Sequence, residues 1–101
     1  MSIAIAVDEL LASGWSGLDS SGCAYDDRGR AYPTVRRVER EFAAAGFDLR
    51  ITHVQPYDCY RAEWREAGAA DVSGSTVSRS EQEAAVHALA EMRRSLALAT
   101  A

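Results

Sequence analysis

The segment Ser80–Leu96 (SEQEAAVHALAEMRRSL) leaves little choice of local structure. Ala85, Ala88, Leu89, Met92 and Leu96 recur at steps of three and four, so a helix gathers them on one apolar stripe. Ser80 stands three residues before Glu83, the capping-box spacing in which each side chain satisfies a backbone donor of the first turn. Glu81 and Glu83 complement the positive end of the helix dipole, and Arg93 and Arg94 the negative end. A helix with one dry stripe needs a second layer to cover it, so the preceding residues must supply that layer.

They do so by changing period. From Cys59 to Glu66, Tyr60, Ala62 and Trp64 alternate with Arg61, Glu63 and Arg65, the pattern of an antiparallel strand with one wet face. Residues 47–55 alternate in the same way, with Leu49, Ile51 and His53 on the drier side. Gln55-Pro56-Tyr57-Asp58 between them spells a tight turn. After the loose connection 66–71, residues 72–79 predict a short third strand around Thr76 and Val77. Upstream, Val35, Val38, Phe42 and Ala45 form a second helical stripe over residues 33–45, opened by Pro33 and ended by Gly46, with Arg36, Arg37, Glu39, Arg40 and Glu41 facing water.

The first 32 residues are less regular. Ile3, Val7, Leu10 and Leu11 share a face of a short helix over residues 2–13, capped by Ser2 and stopped by Gly14; the alternation of Ile3, Ile5 and Val7 also allows a short strand. Residues 15–33 are rich in Gly, Ser and Asp and predict turns, with Ala24-Tyr25 and Ala31-Tyr32 flanking Asp-Asp-Arg-Gly as a small hairpin would. The string Tyr-Asp-Asp-Arg-Gly-Arg also resembles the start of a YD repeat of large bacterial repeat proteins, but a single copy carries only the turn reading.

The expected fold is therefore α+β: two helices on one face of a three-stranded antiparallel sheet (α-β-β-β-α, residues 33–97), with an extra N-terminal helix and a Gly/Ser/Asp-rich loop (residues 1–32), in one globular unit. That order, with the Ser80…Ala84…Ala88-Leu89 spacing and Pro56 between the first two strands, resembles the double-stranded RNA-binding domain. The resemblance implies the fold. It does not extend to the family's nucleic-acid contacts. Where the family carries phosphate-gripping lysines at the start of the last helix, this chain has Glu81, Gln82 and Ala85; where its loop carries Gly and His, this chain has Gln55 and Asp58.

Composition narrows the function further. All 11 basic residues are arginine, and with the many alanines this fits a GC-rich bacterial or phage genome. A net charge of -4 disfavours general nucleic-acid affinity, which rests on neutralising phosphates. The apolar run Ile3–Leu11 contains Asp8 and Glu9 and no basic leader, and no run approaches a membrane span, so the expected setting is the cytoplasm. Two cysteines, Cys23 and Cys59, exclude a disulfide scaffold and leave open whether they pair.

No catalytic or cofactor motif stands out. Cys23, His53, Cys59 and His87 lack zinc-ligand spacing. Cys59 and His53 could face each other across a hairpin, but nothing orients the histidine. Asp19, Asp26 and Asp27 lack the EF-hand pattern. No enzyme activity, cofactor or metal is expected. What remains is a surface: Arg50, Arg61, Arg65 and Arg79 with Glu63 and Tyr57 on the open sheet face, and Trp15 exposed in its loop as a contact hot spot. The expectation is a small non-enzymatic binding or accessory protein, from a phage or mobile element by its size and composition, working through a protein partner or self-association. The alternative is nucleic-acid binding on the arginine-bearing face.

Overall fold

A computed structural model describes residues 3–17 and 21–99. The predicted Ser2 cap and Asp19 lie outside these residues. The order is α1 (Ala4–Ala12), β1 (Cys23–Tyr25), β2 (Ala31–Pro33), α2 (Val35–Ala44), β3 (Phe47–Val54), β4 (Cys59–Glu66), β5 (Gly74–Ser78) and α3 (Glu81–Ala99). These elements make an α+β fold with two antiparallel sheets, the hairpin β1-β2 and the meander β3-β4-β5. None of the described helices is long and apolar enough to cross a membrane.

The two faces of the meander follow from its alternation. Leu49 lies opposite Trp64 and Ile51 opposite Ala62, while Arg50 lies opposite Glu63 on the other face. Trp64 in turn faces Gly74, and Ala62 faces Thr76. The Trp64 ring lies so close over Gly74 that a Cβ there would sit 2.4 Å from Cζ2, so only glycine fits. Phe42 of α2 packs on Trp64, with ring centroids 5.6 Å apart, and edge-on to Phe47 at 6.4 Å. The turn between β3 and β4 is a single 3-10 turn at Gln55–Tyr57, closed by Asp58 in the left-handed region at φ 46.

The N-terminal residues are built into this core. Ala6, Val7 and Leu10 of α1 and Trp15 beyond it cluster with Val38, Phe42, Ala62, Trp64 and the buried face of α3. The reason lies in α3. Ala84, Val86 and Ala90 are buried together with Ala85, Ala88, Leu89 and Met92, so the helix is covered on more than its one expected stripe. The alanines let neighbouring backbones approach closely, and α1 and α2 both pack against α3. Leu96, expected on the stripe, lies beyond the covered turns and is 42% exposed. Leu11 of α1 is likewise exposed, because α1 buries a narrower face than its apolar residues could fill.

Helix ends match local chemistry more closely than the expected boundaries. Pro33 does not open α2. It closes β2, buried opposite Cys23, and its carbonyl accepts a hydrogen bond from Gln82 Nε2 at 2.7 Å. Thr34 is the cap, extended at ψ 164, with its hydroxyl accepting from the Arg37 N–H. At α3, Glu83 N–H donates to Ser80 Oγ at 3.1 Å while Glu83 Oε1 accepts from the Arg79 N–H, one residue before the expected partner.

The β1-β2 turn is held by Asp26. Its carboxylate, 2% exposed, accepts from the Arg28 and Arg30 amides at 3.0 and 2.8 Å and from Arg30 Nε at 2.9 Å. Burial alone would push Asp26 up, but the Arg30 amide, the Arg30 guanidinium and the Arg28 amide together hold its carboxyl below the usual range. Arg30 reaches on to Asp8 and to the Ala4 carbonyl, fastening the hairpin to α1.

Candidate functional site

The sheet's uncovered face carries most of the arginines singled out in the sequence. Arg50, Glu63 and Arg65 line a shallow depression of about 380 Å³ together with Asp48. Glu63 lies 3.7 Å from Arg61 and 3.9 Å from Arg65, and directly across from Arg50. Asp48 stands opposite Arg65. The face is thus a mixed-charge ladder, with carboxylates spaced among the guanidiniums. Tyr57 and Arg79 stand apart from it, around a second depression beside Asp58 and Cys59. Tyr57, at 79% exposure, is the most open large hydrophobic residue described.

Trp15 belongs to neither. The expected exposed loop tryptophan is 5% exposed, seated on the flank of α2. Its Nε1–H donates to Glu41 Oε2 at 3.1 Å, and the Arg37 guanidinium lies over its ring at 5.3 Å. Arg37 also donates to Glu41, to the Ser21 carbonyl and to Cys23 Sγ. Arg37 and Glu41, expected to face water, instead form the polar seat of an indole that is buried yet needs a partner for its N–H. Trp15 is therefore an internal anchor.

The soft-ligand residues are dispersed. Val54, not His53, pairs with Cys59, so His53 and Cys59 lie on opposite faces and form no nucleophile pair. His53 stacks on Tyr60 at 4.8 Å and its Nε2 meets Asp58 at 2.9 Å. Cys23 and Cys59 are not joined in a disulfide. Glu9, His87 and Glu91 offer three atoms within 4.8 Å of one another, a spacing that could hold a cation. Arg94 lies 4.0 Å from Glu9 and 3.4 Å from Glu91, and already supplies positive charge there. The four side chains clamp α1 to α3.

One feature had no clear signal in the sequence. The first turn of α1 faces the end of β5 across a cleft of about 410 Å³, lined by Ile5, Ala6, Cys59, Val77, Ser78 and Arg79, with Glu83 and His87 at its α3 side. Ile5 is 64% exposed and Val77 57%. Beta5 is an edge strand: it pairs with β4, and no described strand covers its other side. Its residues, Gly-Ser-Thr-Val-Ser, include no charge and no proline, the usual devices that blunt an edge. The only hints were an apolar residue off the buried stripe of α1 and a valine on the wet side of a polar strand.

Comparison with protein families, with curated proteins and with solved structures found no match for this chain.

Proposed function

We propose that this chain is a small non-enzymatic binding or accessory protein that acts through protein–protein contacts, and that the cleft between α1 and β5 is its contact surface. The observation that carries this reading is the undefended edge of β5 beside the exposed side chains of Ile5 and Val77. An edge strand presents unpaired backbone donors and acceptors, which a protein ligand satisfies and a small apolar ligand does not. Panning a random dodecapeptide library against the chain tests it. Enriched peptides should bind the parent protein and lose binding to Val77→Lys. Recovery of no binder dependent on Val77 would refute it.

A second reading has its own support. Arg50, Arg61 and Arg65 share one sheet face, and the helix–three strands–helix order resembles a domain that binds double-stranded RNA. Against it stand Glu63 in the middle of those arginines and the carboxylates at the start of α3. Size-exclusion chromatography with light scattering, with and without a mixed RNA and DNA pool, separates the two. A complex at ~50 mM salt that dissolves at higher salt would favour nucleic acid.

A further inference from the structure

The cleft has two unlike walls and a charge at one end, and these features limit what can occupy it. One wall is the end of β5 at Val77 and Ser78; the other is the first turn of α1, with Ile5 and Ala6 facing across. Arg79 lies where this cleft meets the neighbouring depression around Tyr57, so its side chain borders both. Among the described residues no carboxylate pairs with its guanidinium; the Glu83 carboxylate is engaged by the Arg79 main-chain N–H instead.

Resting on the reading above, we infer that the partner segment is an extended strand that adds to β5 as a fourth strand of the meander, sheltered on one side by α1. Side chains of an added strand alternate between the two faces. Those on the helix side meet Ile5 and Ala6, where a cleft of about 410 Å³ accepts a Val, Ile, Leu or Phe side chain. Those on the open side meet Val77 and Arg79, where the guanidinium favours Asp or Glu. The ligand is thus an extended segment with a large apolar residue and a carboxylate next to it. A helical ligand would leave the edge donors and acceptors of β5 unsatisfied, and a basic segment would meet an uncompensated guanidinium.

Fluorescein-labelled octapeptides built on a central Val-Glu, Val-Lys or Ser-Glu pair, titrated by fluorescence anisotropy, test this. Val-Glu should bind the parent chain at least about tenfold more tightly than either alternative, one tenfold step being the usual scale of a charge-assisted contact. Arg79→Glu, an exposed substitution, should reverse the order of Val-Glu and Val-Lys. In hydrogen exchange, the β5 amides that are not bonded to β4 should gain protection when the Val-Glu peptide is bound. Binding without protection of those amides, or with no reversal in Arg79→Glu, would overturn strand addition. If the dodecapeptide library has meanwhile yielded Val77-dependent binders, the protein-contact reading stands without it. If it has yielded none, both fall.

Discussion

Trp15→Ala separates an internal anchor from a contact residue. The side chain is 95% removed from solvent by its 5% residual exposure, and it carries a hydrogen bond to Glu41 and the stacked guanidinium of Arg37. Truncating a buried aromatic residue to alanine costs about 3–5 kcal/mol. For a domain of this size each kcal/mol moves the midpoint by roughly 4 °C or more, so a fall of at least about 12 °C is expected. Trp15→Phe keeps most of the ring but loses the N–H donor to a carboxylate, a loss of about 1.5–3 kcal/mol. Urea unfolding followed by far-ultraviolet circular dichroism should rank the proteins wild type, Trp15→Phe, Trp15→Ala. That readout avoids the change in tryptophan fluorescence that the substitutions themselves produce. If Trp15→Ala lies within about 0.5 kcal/mol of the parent, as an exposed loop residue would, the anchoring argument fails.

Three other substitutions probe distinct parts of the fold. Gly74→Ala drives a methyl into the Trp64 ring, which is 4% exposed and has little room to retreat; about 1–3 kcal/mol of destabilisation is expected in the same assay. Ser80→Ala removes the hydroxyl that caps α3 and should cost about 1 kcal/mol, readable as a lower urea midpoint with unchanged slope. Asp26 has a folded-state pKa below its unfolded value, so its contribution is fully present above the ordinary carboxylate range and is lost only as pH falls through the depressed folded value. Protection of the Arg28 and Arg30 amides, taken relative to an unstructured amide at the same pH, should therefore persist through mildly acidic pH and fall below that range, whereas in Asp26→Asn that protection should already be lower at neutral pH and change little with acid.

Much of this architecture is legible in the residues, because two periods do the encoding. The alternation of Tyr60, Ala62 and Trp64 fixes which way β4 faces, and with it which residues of both neighbours share its inner face. The Ser80–Glu83 pair marks the start of α3 within a residue. What periodicity cannot carry is burial contributed by a distant segment. Arg37 and Glu41 look like a solvated helix face until a tryptophan from another part of the chain sits down on them. The second buried side of α3 is invisible for the same reason: alanine suits an exposed helix face as well as a tight helix crossing. The open arginine face was readable by alternation. The cleft was not, since it exists only because α1 comes to rest beside an edge that lies over 60 residues further along the chain.

The fit between Trp64 and Gly74 bears on what β5 can exchange for. Sliding β5 by two residues in either direction keeps its inner and outer faces but puts Thr76 or Val72 in place of the glycine, under an indole that leaves no room for a side chain. The same test applies to any incoming strand that tries to displace β5 instead of lying alongside it: it must bring a glycine to that one position. The tryptophan thus works as a gauge on the edge of the sheet, permitting lengthening by one strand while rejecting a displacing strand that carries a side chain at that position.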